Sequence, residues 1–515
     1  TMTNPGAGTI YYTTDGSDPR LVGGGLNGGA IAYSDTINLT QSTNVRARVL
    51  NGSTWSAIID AKFIIGPPPA VRVSEMMYHA RPADAASPYI PDQFDYIELL
   101  NTSGSPIDLT GIRFTKGITF TFPNMTLAAG ARTLIVANQA AFESRYGISL
   151  PIAGVFTGTL SDSGENIRLE TGLGQEIEEF KYKDNWYPQT DGDGFSLVAI
   201  DPSATDLVLS DKDGWRPSEP LDGGPGVTDP GINPGAIVIN EILARGSAPS
   251  SDWIEFYNTT NAPIDISGWA LSDNSANLTK YILQPGSIVV AHGYLVLDEL
   301  STFGMNGNPG VNQQFDFSKS GDQAYLTQRV GGNLAGYRES VDFGASDVDV
   351  PFGRYIKSTG AKDFVPMSAP SKGAANSYPK VGPIIINEVM YQPTSGGIEY
   401  VELKNITGSD ISLYDAALNS PWRFTNGITF SFANGDVIRA GGYALVVAST
   451  PSVFRAAYNI PANVPVFGPF AGQLDNSGEK IELGKPTDAE SVTNLPKWVT
   501  VDRLTYNNAT PWPVA

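Results

Sequence analysis

Cysteine is absent from all 515 residues. No disulfide can frame the fold, and no thiolate can act as a nucleophile or bind zinc. A cysteine-free chain of this length fits an exported bacterial protein better than a eukaryotic one. Histidine is nearly absent: His79 and His292 are the only two. They sit in unrelated local sequences, so neither a Ser-His-Asp set nor a His-Glu-x-x-His helix can be assembled. No Gly-x-Ser-x-Gly elbow and no phosphate-cradling Gly-x-x-x-x-Gly-Lys run occurs. Basic charge is scarce, with 33 Lys and Arg against 53 Asp and Glu, a net charge of −20 and a pI near 4.5. That balance lacks the basic footprint by which proteins displace counterions from DNA or RNA, and it favours divalent cations. No run of 18 apolar residues exists to span a membrane as a helix. No signal peptide opens the chain, and its start reads as a cut inside a domain.

What is present is repetition. Ser74-Glu75-Met76-Met77-Tyr78, Asn240-Glu241-Ile242-Leu243 and Asn387-Glu388-Val389-Met390-Tyr391 are three versions of one phrase. Each precedes an acidic-aromatic-aliphatic-Glu phrase: Asp95-Tyr96-Ile97-Glu98, Asp252-Trp253-Ile254-Glu255 and Glu399-Tyr400-Val401-Glu402. An Asn follows three places later each time, at Asn101, Asn258 and Asn405. Self-similarity at such long spacing means a duplicated domain. The length agrees, since about 150 residues per domain predicts three or four. Charged residues are only 17% of the chain, 55 Gly and 37 Pro punctuate it, and Thr, Ser, Val and Ile fill short apolar runs. This is the pattern of an all-β protein with many tight turns.

Four units follow along the chain. Residues 1–65 hold a strand at Thr9–Thr14, an Asp15-Gly16-Ser17-Asp18-Pro19 turn, an alternating strand at Val45–Val49 and an Asn51-Gly52 turn. Gly66-Pro67-Pro68-Pro69 is a stiff linker. The large repeats occupy 70–218, 236–377 and 384–515. Glu219–Gly235 and Asn376–Pro383 read as Gly- and Pro-rich connectors. Within each repeat, turn signals every 8–12 residues predict a sandwich. One or two helical turns are expected near Ala140–Tyr146 and Ser452–Tyr458. Repeats one and three are the closer pair: Arg113–Phe120 matches Arg423–Phe430, and Ser163-Gly164-Glu165 matches Ser477-Gly478-Glu479. Repeat two keeps Ser320-Gly321-Asp322.

The first unit resembles the small β-sandwich at the C-terminus of chitobiase-type hexosaminidases, on Ile10–Pro19 and Val45-Arg46-Ala47-Arg48. The three repeats resemble lamin tail domains, through the opening Asn-Glu phrase, the acidic-aromatic-Ile-Glu phrase, Pro263–Trp269 and the Ser-Gly-Glu phrase. That resemblance implies tandem immunoglobulin-like β-sandwiches, four domains in all. Two departures stand out: Ile112 replaces Trp269 in repeat one, and repeat three reads Leu413-Tyr414-Asp415 where repeat two reads Ser-Gly-Trp. In repeat one, Trp186-Tyr187-Pro188 leads into a turn and closing strand over Asp191–Val198, whereas Pro511-Trp512-Pro513 nearly ends the chain. The expectation is a section cut from a longer protein, or open sheet edges completed by neighbouring chains.

Candidate chemistry is sparse. The carboxylate pairs Glu75/Glu98, Glu241/Glu255 and Glu388/Glu402 have the composition of a general acid–base or glycosidase pair. They recur unchanged in three modules, which instead suits acceptors of backbone N–H groups or of Arg and Lys at a strand edge. Asp191 and Asp193, and Asp211 and Asp213, alternate around Gly-containing bends and are candidate calcium ligands, although Asp-Gly is also the commonest turn dipeptide. Asp15 and Asp18 are weaker versions. Tyr11, Tyr12, Trp55, Trp186, Tyr187, Trp422 and Trp512 could stack on sugars or fill cores. Asn-x-Ser/Thr sequons begin at Asn38, Asn51, Asn101, Asn124, Asn258, Asn277, Asn405 and Asn508, in turns that suit surface glycans.

These features predict a non-catalytic section of a large secreted or cell-surface bacterial protein, acting as a structural, adhesive or filament-forming array. Its expected partners are other copies of itself, neighbouring surface proteins or carbohydrate; no nucleic acid is expected, and no membrane span in this chain. The alternative is a set of accessory modules for a secreted hydrolase, nuclease or spore-coat-type kinase whose catalytic domain lies elsewhere.

Overall fold

The computed structural model describes the chain apart from residues 249–250, 489–496, 511 and 513–515. It divides into two compact units, one of Thr1–Pro234 with Leu334–Tyr337 and one of Gly235–Asn333 with Arg338–Ala515.

In the first unit, the N-terminal module is a five-stranded sheet centred on Thr43–Asn51, which pairs with Thr9–Thr13, Thr54–Trp55 and Ile59–Phe63. Its central strand alternates buried and half-buried residues, as period-two patterning requires. A cleft of about 670 Å³ lies over its apolar face, against Ile10, Val45, Ala47, Val49 and Phe63. Asp18 takes a two-pronged ion pair from Arg48, at 2.8 and 2.7 Å. That hydrogen bonding pulls its carboxyl down to about 2.

Repeat one is a sandwich. One sheet runs Ile152–Val155, Arg132–Val136, Tyr96–Asn101, Val71–Met77, Leu197–Ala199, Trp215–Pro217. The other runs Phe120–Thr121, Arg113–Lys116, Asn166–Glu170, Glu176–Lys181. Val71, Val73, Met76, Ile97 and Leu99 face Phe114, Ile167, Leu169, Ile177 and Phe180 in the core between them. The outer face of the first sheet is also apolar. Met77, Tyr96, Leu134 and Val136 are covered there by Ala141 and Phe142 of the helix Gln139–Tyr146. Asn138 starts that helix by accepting the Ala141 N–H at 3.1 Å.

In the second unit, repeat two orders its main sheet Tyr294–Asp298, Trp253–Asn258, Ile237–Leu243, Phe352–Ile356, Lys362–Pro366. Repeat three orders its own Val466–Phe467, Tyr443–Val447, Tyr400–Asn405, Ile384–Met390 and has no further strand on that edge among the described residues. Its helix, Pro451–Tyr458, begins with proline at the first helical position.

Repeat three keeps a counterpart of Trp269, displaced along the chain to Trp422. In repeats one and two, Ile112 and Trp269 donate N–H to Leu109 and Ile266, three residues back. In repeat three Trp422 donates to Leu413, nine residues back. A small ladder of Tyr414–Asp415 against Ser420–Pro421 fills the gap. Ile112, Trp269 and Trp422 each then accept one bond from the facing strand, from Phe122, Leu283 and Phe432, and all three side chains are buried. The departure is an insertion, with the core position retained.

Candidate functional site

The opening phrase of every repeat is a strand with a β-bulge. Register slips between Val73 and Glu75, between Ile239 and Glu241, and between Ile386 and Glu388. The extra residue is Ser74, Asn240 or Asn387. A bulge re-aims side chains without ending the pairing. Here it sets Glu75 opposite Glu98, Glu241 opposite Glu255 and Glu388 opposite Glu402 on neighbouring strands. The bulged side chain then donates to the second Glu: Ser74 to Glu98 at 2.6 Å, Asn240 to Glu255 at 2.8 Å, Asn387 to Glu402 at 2.7 Å.

Two facing carboxylates need donors if water is excluded. In repeat one Glu75 is 2% exposed and accepts from the Tyr96 hydroxyl at 2.6 Å, the Ser196 hydroxyl at 2.6 Å and the Gly224 N–H at 2.8 Å. Glu98 accepts from Arg132 Nε at 2.9 Å and from the Gly226 N–H at 2.6 Å. In repeat two Glu241 accepts the Ser371 N–H at 3.1 Å and its hydroxyl at 2.7 Å, and Glu255 takes the Gly373 N–H. Both repeats thus use one device, a pair of backbone amides two residues apart that clamps the carboxylate pair.

Burial raises the Glu75 carboxyl to about 7, helped by the neighbouring Glu98 and opposed by the donors. Burial likewise raises Glu241 to about 7 and lifts Glu98 and Glu255 above the ordinary carboxylate range. Such values are also those of general acids, but the oxygens here face protein donors in a closed environment.

The clamp of repeat one comes from residues read in the sequence as a connector. Asp222 is held by Arg81 through two bonds of 2.8 Å, and its carbonyl accepts from the Tyr146 hydroxyl. Arg216 and Asp229 pair where both are buried. Glycine there serves close approach: a Cβ on Gly223 would stand 2.1 Å from the Tyr96 hydroxyl. Composition alone reads such a stretch as flexible.

The other repeated residues are also structural. Asn101, Asn258 and Asn405 are buried. Asn101 Nδ2 donates to the carbonyls of Ser105, Leu127 and Ala128. Its Oδ1 accepts the Ser103 N–H and hydroxyl. Asn258 with Thr260, and Asn405 with Thr407, repeat the pattern. At these three positions the sequon is therefore a buried turn, which corrects the expectation of a surface glycan. Asn38, Asn51, Asn124 and Asn508 are exposed. The Ser-Gly-Glu phrase is a turn in which Glu165, Asp322 and Glu479 accept N–H from Ser161, Ser318 and Asp475.

The aspartates proposed for calcium lie on exposed loops. Asp191 Oδ1 accepts from His79 Nδ1–H at 2.7 Å. Asp193 stands two residues on, exposed. Asp211 accepts the Asp213 N–H at 3.0 Å as the cap of a short 3₁₀ turn. Among the described residues no group of three or more His, Asp or Glu side chains converges to hold a metal. Of the aromatics, Trp422 belongs to a core, while Trp186 and Tyr187 pack against one. Tyr11 and Trp55 sit half-exposed with ring centroids 6.1 Å apart.

The bulge, the carboxylate pair and the Asn turn therefore define one domain three times over, and comparison with known families agrees. The Lamin Tail Domain family matches residues 66–184, 231–340 and 378–506. The chain belongs to the lamin tail domain family. Residues 1–63 match a second family, Fn3 associated. No curated protein matches the chain. Each lamin tail match in repeats one and two ends before the strands Leu197–Ala199 and Phe352–Ile356 and before the clamps.

Proposed function

We propose that this chain is a non-catalytic module array of a large exported bacterial protein, working outside the cell as a structural, adhesive or filament-forming element. One observation carries the reading. The lamin tail carboxylate pairs of repeats one and two, the best acid–base candidates in the sequence, have their oxygens engaged by protein N–H and O–H groups. Immunoglobulin-like and Fn3-associated modules, zero cysteine and a net charge of −20 support it. Its partners are other copies of this chain or neighbouring surface proteins, with carbohydrate at the half-exposed Tyr11 and Trp55 as a further contact. Electron microscopy of concentrated protein tests the reading. Regular fibres or sheets with a repeat near the length of one chain are expected, and monodisperse particles at high concentration would count against assembly.

Calcium at Asp191 and Asp193, or at Asp211 and Asp213, belongs to the same proposal, because weak extracellular sites complete their shells with carbonyls and water. It predicts a higher melting midpoint in millimolar calcium than in chelator. An unchanged midpoint removes the metal from the account.

A further inference from the structure

Repeat two carries a tyrosine pair that its two counterparts lack. Tyr257 and Tyr294 are direct partners on neighbouring strands of its main sheet, with ring centroids 4.9 Å apart. The matching pair is Leu100 with Arg132 in repeat one and Lys404 with Tyr443 in repeat three. On the closing strand, Gly353 faces Glu241 as Val198 faces Glu75, so Arg354 stands where repeat one has Ala199. The bulge, the carboxylates and the Asn turn occur in all three repeats, and folding accounts for them. The tyrosine pair and Arg354 are additions to a sandwich that repeat one closes without them.

Tyr257, Tyr294 and Arg354 line a groove of about 350 Å³ together with Tyr355, Asn376 and Tyr378. That volume is at the lower end for ligand pockets. One wall is held in place, because Asn376 Nδ2 donates to the carbonyls of Asn240 at 3.0 Å and Arg354 at 2.9 Å. The polar groups facing the groove are unspent. Among the described residues, the hydroxyls of Tyr294, Tyr355 and Tyr378 and the guanidinium of Arg354 have no protein partner. Tyr378 is 81% exposed. No described Asp or Glu lines the groove, in a chain with 53 acidic against 33 basic residues. Glu255, two places before Tyr257, is already taken by the Asn240 amide and the Gly373 N–H.

We propose that this groove of repeat two binds a uronate-bearing glycan. A sugar ring offers C–H faces that pack on aromatic rings and hydroxyls that need hydrogen-bond partners, and tyrosine supplies both. Arg354 supplies the charge, since its planar fork matches a carboxylate with two parallel bonds. An acidic protein repels polyanions at a distance, so a short-range site of ring packing and one ion pair is the form that acidic-sugar recognition takes here. The proposal deepens the carbohydrate part of the function proposed above. It rests on that reading only for why an exported array meets a glycan, and it moves the contact from Tyr11 and Trp55 to repeat two.

Isothermal titration of the full chain with tetramers of galacturonate, mannuronate and hyaluronan tests the proposal, beside the methyl ester of each. At least one acid tetramer should bind saturably and tighter than about 1 mM, and its ester at least about tenfold more weakly. Arg354→Gln should bring the acid down to the level of its ester. Tyr378→Ala removes a side chain that is 81% exposed, so its loss of binding cannot be blamed on misfolding. It should weaken the acid at least about threefold. No saturable binding of any acid tetramer up to about 1 mM, equal binding of acid and ester, or binding untouched by both variants overturns the proposal. Binding lost in Trp55→Ala and kept in both variants would place the sugar on the first module, which overturns this site and leaves the carbohydrate reading standing. A dimer that Tyr378→Ala breaks and the sugar cannot displace would assign the groove to a second copy and also overturn it.

Discussion

Glu75 and Glu98 of repeat one and Glu388 and Glu402 of repeat three stand on matching strands, after matching bulges, opposite one another in matching register. The first pair is sealed beneath Ser196, Gly224 and Gly226, and Glu388 is exposed. The same phrase thus yields a buried structural lock in one repeat and an open acceptor in another. In repeat one a segment far along the chain supplies donors and excludes water, and among the described residues no such segment lies over Glu388. Local sequence decides where a carboxylate points; a remote segment decides what it meets.

The comparison can be broken at the clamp. Gly223 has φ of +84°, and an added Cβ would stand 2.1 Å from the Tyr96 hydroxyl and 2.6 Å from Glu75 Oε1, both fixed in a buried network. Gly223→Ala should cost roughly 3–4 kcal/mol in the repeat-one transition, by overpacking and by forcing positive φ on alanine. Gly408→Ala in repeat three, where nothing lies within 4 Å, should change its transition by less than about 0.5 kcal/mol. Urea titration resolves both, and similar losses at the two sites would void the contrast. Next comes the carboxylate itself. Glu75→Ala strands the Tyr96 and Ser196 hydroxyls and the Gly224 N–H in a dry site, which should cost about 3 kcal/mol. Glu388→Ala, at an exposed edge, should cost under about 0.5 kcal/mol.

A third pair of changes tests what the repeats share. Asn101→Ala and Asn405→Ala each leave buried carbonyls without a donor and should each cost about 2–3 kcal/mol. A large difference between them would show that the Asn turn, too, depends on the clamp. The smallest effect is with pH. Glu75 and Glu241 have folded values near 7, above the ordinary 4.5, because burial disfavours the charge. The folded state therefore holds more protons than the unfolded state between those values. Stability from these groups is full below about 4.5 and lost as pH rises through about 7. Repeats one and two should be more stable at pH 5 than at pH 8, by about 1–2 kcal/mol after relaxation of the sites. Glu75→Gln and Glu241→Gln should flatten the slope, and a slope unchanged in these variants would remove the carboxylates as its cause.

Much of the frame was legible from residues alone. Tyr96, Ile97 and Leu99 are placed by alternation on the faces of one strand, and the helices Gln139–Tyr146 and Pro451–Tyr458 fall where the short helical patterns lie, while the single turn Asp206–Leu209 was not expected. Glu as an acceptor of backbone N–H was readable from its recurrence without partners that vary. The clamp was not readable, because Asp222-Gly223-Gly224-Pro225-Gly226 has the composition of a linker, and only burial against Glu75 gives those glycines a purpose. Trp422 was read as a candidate core aromatic but not as the counterpart of Trp269, because an insertion moved it nine residues from Leu413 while the hydrogen bond kept its place. Three sequons misled because the small Ser or Thr two places after Asn serves an Asx turn as well as it would serve a glycan.

By itself the sequence determined that one β-domain was copied three times behind a smaller module, since periodic side chains and turn residues act over a few neighbours and survive duplication. It also determined which chemistry could not occur, because missing residue types cannot be supplied by folding. Only the tertiary structure decided which carboxylates are sealed and which stand open. That choice depends on distant backbone amides arriving within hydrogen-bond range, a proximity that no local pattern encodes.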